Sequence, residues 1–125
     1  MSDKPVLTPG PDHPITVEPA GGQVRVRFGD REIVKSDRAL VLAEAGYPPV
    51  VYVPLGDVAV GVLEPSTHAS YCPYKGDASY YTLRDADRVA EDAVWTYGTP
   101  YDAVAPIAGH VAFYPRHVEI ERDAA

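Results

Sequence analysis

The chain has 125 residues, of which 46% are hydrophobic, so it can form one domain with a real core and is too apolar for a disordered protein. Its formal net charge of −7 disfavours sequence-independent binding of nucleic acid, which needs a surface rich in lysine and arginine. No apolar run approaches the roughly 20 residues that a bilayer span requires, so we expect no membrane partner.

The opening segment, residues 1–14, carries four prolines and few apolar anchors. We therefore expect a flexible N-terminal arm, followed by a single domain over residues 15–123. The segment also lacks the apolar region of a secretory signal, and this predicts a soluble, cytoplasmic protein.

Alternation of apolar and charged residues marks the first strand. In Val24–Phe28, every second residue is apolar and the intervening ones are arginines, which is typical of a half-buried strand. Gly29-Asp30 follows as a two-residue hairpin turn, and residues 32–35 are the predicted partner strand. The run "ALVLAE" predicts a buried strand, and residues 50–53 predict a short one.

The middle of the chain contains the best helical signal. In "DVAVGVLEPS", Asp57 can cap a helical turn that Gly61 and Pro65 keep short. The stretch "HASYCPYKGDASYY" predicts two strands around Lys75-Gly76. Further strands are expected in "AVWTYG" and in "HVAFYPRHVEIER", with one turn of helix in "PYDAVAPIAG" between them.

The frequency of proline and glycine determines the predicted fold class. Thirteen prolines and ten glycines leave almost no window long enough for an ordinary helix. About eight short strands in a chain of this length predict a mainly β, small single-domain protein. We expect a curled sheet or open barrel of short strands with one or two short helical turns.

Four blocks of the sequence resemble one bacterial family, domain of unknown function 427. The blocks are "ALVLAEAGYPPVVYVPLGDV", "YCPYKGDASYY", "AVWTYGTP" and "IAGHVAFY", and the resemblance extends over nearly all of the chain. Ser70 stands where the family usually has threonine. The resemblance implies a small, single-domain, mostly β protein, and the family also carries a nucleotidyltransferase-type label.

Nucleotidyl transfer requires carboxylates that hold metal ions beside a triphosphate, and commonly a loop that cradles phosphates. The one close pair of the Asp-x-Asp form is Asp85 and Asp87 in "LRDADRV". Flanking arginines and the absence of a preceding Gly-Ser favour a solvated hairpin turn there. Lys75-Gly76 alone is not a phosphate-binding loop.

Metal and disulfide chemistry have little basis in the sequence. A single cysteine excludes an internal disulfide and any zinc site with several cysteines. No two of the four histidines show His-x₃-His spacing, so we predict no metal site, and the sequence names no cofactor. The histidines are His13, His68, His110 and His117.

Cys72 has two interpretations. As a nucleophile it would need a neighbouring cation or base, which Lys75 or His110 could supply. As a side chain facing the core of a small β domain, it would be a compact hydrophobe, and we favour this second interpretation.

Lys75 and Glu44 each stand next to apolar segments. Lys75 occupies a predicted turn, so it is either an exposed lysine or a cation held over a pocket by Tyr74 and Tyr80. Glu44 follows an apolar strand, and a carboxylate there either pairs with a cation, Lys75 or Arg38, or lines a polar cavity.

Tyrosine is far more frequent than phenylalanine, with nine residues against two. Each buried tyrosine hydroxyl needs a hydrogen-bond partner, so packing alone does not favour such a bias. Tyrosine walls with a few charged groups are typical of small-molecule pockets. A sheet edge or a homodimer face would show the same bias.

The sequence thus predicts a domain that binds a small anionic or polar ligand in a tyrosine-rich cavity. One alternative is an enzyme, either nucleotidyltransferase-like or cysteine-dependent, and another is a protein-interaction module. The expected oligomeric state is a monomer or a homodimer. The predicted ligand-binding residues are Glu44, Tyr52, Cys72, Lys75, Tyr80, Trp95 and His110.

Overall fold

The computed structural model describes residues 4–123, which form ten strands and two short 3-10 turns. The mainly β fold predicted from the sequence is confirmed. Within residues 4–123, no helix is long and apolar enough to cross a membrane. The turns are Leu55–Asp57 and Asp102–Ile107, and the strands are β1 Ile15–Pro19, β2 Val24–Phe28, β3 Arg31–Ser36, β4 Leu40–Glu44, β5 Val50–Pro54, β6 Leu63–Cys72, β7 Gly76–Asp85, β8 Arg88–Tyr97, β9 His110–Phe113 and β10 Glu119–Arg122.

The strands form two antiparallel sheets. The larger sheet has the order β1-β4-β5-β9-β8-β7-β6, and the smaller one has the order β10-β2-β3. The predicted hairpin of β2 and β3 is confirmed, with Gly29 at φ 62° in its turn and Val26 opposite Val34. A left-handed turn residue matches the twist of the flanking strands, which explains glycine at this position.

The two faces of the larger sheet carry different cores. The first core lies between the two sheets and is formed largely by valines, with Phe28, Leu83 and Phe113. The second core lies on the opposite face and is rich in tyrosine. It consists of Leu42, Tyr52, Ala78, Tyr80, Tyr97, Val104, Ile107 and Ala112. Neighbouring residues alternate between the cores, as the period of two in a strand requires.

The larger sheet curls around the second core without closing into a barrel. β1, at one end of the sheet, contacts the Asp102–Ile107 turn that lies on this face. The sheet is also open in its middle, because β5 and β9 pair only at Val53–Val111 and Pro54–His110. Beyond these pairs β5 continues along β4, and β9 continues along β8. We call the space between the two separating strands the opening.

The helical turn predicted for "DVAVGVLEPS" is wrong. The 3-10 turn ends at Asp57, and β6 begins at Leu63. Asp57 caps no helix, because its carboxylate accepts hydrogen bonds from Ser36 Oγ at 2.6 Å and Arg38 Nη2 at 2.8 Å. Gly61 lies at φ 87°, which breaks any helix at that point.

The C-terminal segment also differs from the prediction of one strand. It contains two, β9 and β10, because the chain turns at Pro115 and β10 joins the smaller sheet. The predicted turn of helix in "PYDAVAPIAG" is present as the Asp102–Ile107 3-10 turn.

The N-terminal arm lies along the turn between β6 and β7. The N–H of Leu7 donates to the carbonyl of Pro73 at 2.9 Å, and the hydroxyl of Tyr71 donates to the carbonyl of Pro5 at 2.6 Å. Residues 1–3 of the predicted arm lie outside the described residues. The arm reaches β1 through His13, whose surroundings are described below.

Candidate functional site

Glu44 is the last residue of β4, and the local backbone fixes its position. It pairs with Ile15 of β1, so the residues that precede β1 lie next to it. The N–H of Tyr47 donates to the carbonyl of Glu44 at 2.9 Å, and Ala45 adopts φ 44° in this turn. The apolar strand β4 therefore ends in a carboxylate, which lies next to the start of β1.

Lys75 lies in the turn that joins β6 to β7. Its N–H donates to the carbonyl of Cys72 at 3.2 Å, and its own carbonyl accepts from the N–H of Tyr101 at 3.0 Å. Gly76 follows at φ 114°, a conformation that side chains other than glycine rarely adopt. The turn is thus held on both sides of Lys75, which directs its side chain toward β4.

Lys75, Glu44 and His13 form one charged cluster. Lys75 Nζ lies 2.6 Å from Glu44 Oε1, and His13 Nε2 lies 2.8 Å from Glu44 Oε2. The side chains of Lys75 and Glu44 are only 13% and 14% exposed, and that of His13 is 25% exposed. The carboxylate therefore has a partner on each oxygen while it is largely shielded from water.

The pKa of Glu44 reflects two opposing effects. Burial raises it, but hydrogen bonds from Lys75 and His13, with their charges, more than offset burial and hold the pKa below its ordinary value. Glu44 is therefore ionised at neutral pH, and Lys75 faces a full negative charge.

Aromatic rings surround this cluster. The ring of His13 stacks on Tyr74 with centroids 4.0 Å apart and an interplanar angle of 3°. The ammonium of Lys75 lies 5.9 Å from the centroid of Tyr97, within the range of a cation–π contact. Tyr47 extends into solvent next to His13 and is 66% exposed.

A second layer of aromatic residues lies beneath the charged cluster. Trp95 Nε1 donates to the hydroxyl of Tyr52 at 3.2 Å, and the ring of Trp95 lies 4.5 Å from that of Tyr114. Burial raises the pKa of Tyr52 to about 12 and also raises that of Tyr97. These hydroxyls stay protonated at neutral pH, so the second layer is polar but uncharged.

A cavity of about 670 Å³ opens beside the charged cluster, and we call it the site cavity. Glu44 and Lys75 form its polar wall, and prolines with two tyrosines form most of the remainder. Its volume is in the range of small-molecule pockets. It is lined by Glu44, Tyr47, Pro48, Pro49, Val50, Lys75, Tyr114 and Pro115.

A family model described as a domain of unknown function (DUF427) matches residues 16–124. The chain belongs to this family. The resemblance noted in the sequence is thereby confirmed, and the matched segment contains both Glu44 and Lys75, whereas His13 precedes it. No curated protein matches the chain.

Most of the predicted site residues of this DUF427 domain lie close together. Glu44 and Lys75 form the predicted pair, whereas Arg38 pairs with Asp57 instead. The second core beneath the pair contains Tyr52 and Tyr80, and Trp95 packs against it. The hydroxyl of Tyr80 is hydrogen-bonded to that of Ser70 at 2.9 Å, and the ring of Tyr74 stacks on His13. The expected contacts of these two tyrosines with the Lys75 ammonium are therefore not formed. Tyr97 is the ring nearest this ammonium.

Cys72 and His110, the candidate nucleophile and one of its candidate bases, share no hydrogen bond within residues 4–123. Cys72 is half-buried and packs against the second core. His110 Nδ1 lies 2.9 Å from the carbonyl of Ala108, and His110 is one contributor to the lowered pKa of Asp57. Within residues 4–123, no hydrogen bond, ion pair or ring contact joins His110 to the other six predicted residues. The structure therefore does not bring His110 into the cluster.

The sequence patterns did not identify His13 as a member of the charged cluster, nor Tyr97 and Tyr114 as rings next to it. His13 was assigned to the arm, and only the pairing of β1 with β4 brings it to Glu44. Tyr97 and Tyr114 were noted only as part of the tyrosine excess. Their alternation within "AVWTYG" and "HVAFY" was the available signal, since it places them on the face that carries Tyr52.

Asp85 and Asp87 lie at the hairpin turn between β7 and β8, as predicted. Asp85 forms an ion pair with Arg31 at 2.8 Å, and both border a concavity of about 750 Å³ between two hairpin turns. Within residues 4–123, no three His, Cys, Asp or Glu side chains lie close enough together to hold a metal ion. Asp85 is therefore engaged by Arg31, and neither Asp85 nor Asp87 lines the site cavity beside Glu44.

Proposed function

We propose that the protein binds a small anionic or polar ligand in the site cavity, with Lys75 as the group that contacts it. The observation that carries this proposal is the placement of a shielded Lys75–Glu44 pair on the wall of a cavity of about 670 Å³. A shielded ion pair is costly to desolvate, and apolar residues of similar volume often replace such a pair without loss of stability. Its position at a cavity fits a binding role.

Lys75 has donors to offer a ligand. An ammonium group carries three N–H donors, and Glu44 Oε1 takes one of them. A carboxylate or phosphate oxygen that enters the cavity beside Lys75 would form a charge-assisted hydrogen bond. Glu44 in turn holds the ammonium at the wall, so that little side-chain entropy is lost on binding.

The remaining walls suit the body of a small organic molecule. Pro48, Pro49 and Pro115 are rigid, and Tyr114 adds an aromatic side chain to the lining. An apolar cavity with one or two polar groups is the usual form of a ligand site. Neither Cys72 nor Asp85 lines this cavity, so the contacts favour binding over cysteine chemistry or nucleotidyl transfer.

A thermal-shift screen tests this function, with inorganic phosphate, nucleotides and small organic carboxylates as probes. A ligand at about 100 times its Kd stabilises the folded state by ~2.7 kcal/mol, which is readily measured as a rise in Tm. We expect at least one anionic probe to raise the Tm of the wild-type protein. Lys75→Met should abolish that rise, measured against the variant's own Tm without ligand.

Lys35→Met is the matched control, because Lys35 is exposed on β3. It should leave the ligand-induced rise in Tm intact. If the ligand-induced rise in Tm is lost equally in both variants, the protein responds to the probe only through net charge. If the rise is undiminished in Lys75→Met, Lys75 is not part of the binding site.

A further inference from the structure

The opening between β5 and β9 contains a cavity of its own, of about 370 Å³. β5 and β9 pair only at Val53–Val111 and Pro54–His110, so Val50, Val51 and Phe113 lie beyond the paired residues. The walls are Val50, Val51, Trp95, Phe113, Ile120 and Arg122, together with two prolines. Residues that pack with each of the two cores therefore line this space, and β10 of the smaller sheet contributes Ile120 and Arg122 to it.

The opening adjoins the site cavity. Pro49, Val50 and Pro115 line both spaces, so a molecule bound beside Lys75 meets the opening across these shared residues. One end of the combined space is polar, at Lys75 and Glu44, and the opening is lined by apolar residues apart from Arg122. A ligand that fills it must be amphipathic.

We propose that the ligand is an aromatic carboxylate, with its carboxylate at Lys75 and its ring in the opening. This inference rests on the proposed function, since it takes Lys75 as the group that binds the ligand. Trp95 and Phe113 are two aromatic residues among those that line the opening, which favours a ring over a flexible chain. The indole N–H of Trp95 already donates a hydrogen bond to Tyr52, so Trp95 does not require a polar group on the ligand.

The donor at the polar end favours a carboxylate over a phosphate. Glu44 lies 2.6 Å from Lys75, so any anion bound to that ammonium also lies near a carboxylate. Lys75 is the one lysine or arginine among the residues that line the site cavity. One lysine is a point charge and does not provide the forked donors with which arginine neutralises phosphate.

Trp95 makes the proposal directly measurable, since it is the one tryptophan in the chain and lines the opening. Phenylpropionate, its neutral amide phenylpropionamide, and propionate are the probes. We expect phenylpropionate and, at higher concentration, its amide to shift Trp95 emission to shorter wavelength, because the phenyl ring displaces water from the indole. Propionate has no ring and should leave the emission unchanged.

Variants that fill the opening test whether the ring of the ligand binds there. Ile120→Phe fills the opening from β10 and Val51→Phe fills it from β5, so one of them serves if the other does not fold. Each should weaken phenylpropionate binding by roughly tenfold or more and abolish the Trp95 response. Val89→Phe is the matched control, because Val89 is exposed on β8 and lies outside the opening. It should bind like the wild type.

The acid-to-amide comparison tests the proposed function independently. Wild-type protein should bind the acid at least about tenfold more tightly than the amide, and Lys75→Met should erase that difference. If this preference is present but Trp95 does not respond, or Ile120→Phe and Val51→Phe bind normally, the inference fails and the proposed function stands. If Trp95 responds equally to acid and amide, the carboxylate class is overturned along with the role of Lys75. No Trp95 response to either compound overturns the inference outright.

Discussion

At the scale of single residues, the contact between Lys75 and Glu44 determines the electrostatics of the site. Two charges lose much of their hydration when side chains are this shielded, and only a close partner restores the lost free energy. His13 supplies a second partner to the carboxylate at 2.8 Å. Removing one member therefore leaves the others with an unbalanced charge or donor, and the three should behave as a coupled unit.

A double-mutant cycle measures this coupling. Glu44→Gln alone should lower the free energy of unfolding by about 2–4 kcal/mol, because Lys75 keeps its charge without a carboxylate. The double variant with Lys75→Met should cost less than the sum of the two single changes, by about 1–2 kcal/mol. Denaturant unfolding gives the three values.

The exposed pair of Glu64 and Arg84, with its atoms 2.8 Å apart, is the control for that cycle. Both side chains are about half exposed, so Glu64→Gln with Arg84→Met should show no measurable coupling. Strict additivity at Glu44 and Lys75 as well would show that their contact contributes nothing to stability.

At the scale of elements, the turn between β6 and β7 positions the lysine. Gly76 begins β7 at φ 114°, and a Cβ there would lie 3.4 Å from the carbonyl oxygen of Thr99. That oxygen belongs to the segment whose Tyr101 N–H holds Lys75 in place. A Cβ at Gly76 would therefore make ordinary van der Waals contact with that segment, and the positive φ is what favours glycine at this position.

Gly76→Ala should therefore lower the free energy of unfolding by about 1–2 kcal/mol, through backbone strain at positive φ. We also expect weaker binding of any ligand that contacts Lys75, because the turn must shift. Gly56→Ala is the control, since a Cβ at Gly56 meets no atom within 4 Å and its φ is not positive. That variant should be neutral or slightly more stable. Equal effects of the two changes on denaturant midpoints would contradict the role given to Gly76.

At the scale of the whole molecule, ionised carboxylates link stability to pH. The pKa values of Glu44, Asp57 and Glu64 all lie below their ordinary values, Asp57 chiefly through Ser36 and Glu64 chiefly through Arg84. A carboxyl with a lowered pKa in the folded state stabilises that state above its ordinary pKa. The contribution is lost as the pH falls through the folded-state value.

We therefore expect the free energy of unfolding to decline as the pH falls below about 4.5, the ordinary value for glutamate. The decline should be shallower in Glu44→Gln, which has no carboxyl to protonate at that position. Denaturant midpoints at about pH 5 and about pH 3 measure both slopes. A decline of the same steepness in both proteins would show that the carboxyl of Glu44 does not contribute.

Local patterns predicted most of the fold. The alternation in Val24–Phe28 and the Gly29-Asp30 turn specify a hairpin through neighbours in the chain, and that hairpin is present. The failure at Asp57 has a non-local cause, because its carboxylate is engaged by Ser36 and Arg38 from another part of the fold. Propensity cannot reveal a competing partner of that kind.

The site was predictable only in part, for the same reason. Glu44 and Lys75 were recognisable as charges placed against apolar segments. His13 reaches Glu44 only through the register of β1 on β4, and His110 turns its ring toward Ala108 instead. The opening depends on where β5 and β9 stop pairing, which no local pattern encodes.

The short pairing of β5 with β9 has a consequence for how the site is assembled. In the larger sheet, β1, β4 and β5 come from residues 15–54 and β6 to β9 come from residues 63–113, so the strands on the two sides of the β5–β9 pairing come from two separate stretches of chain. The connection passes through Val60, which is 96% exposed. Hairpins within each stretch close short loops, whereas contacts between the stretches close long ones at a greater entropic cost. Glu44 belongs to the first stretch and Lys75 to the second, so the binding site is formed by the docking of two half-sheets and belongs to neither alone.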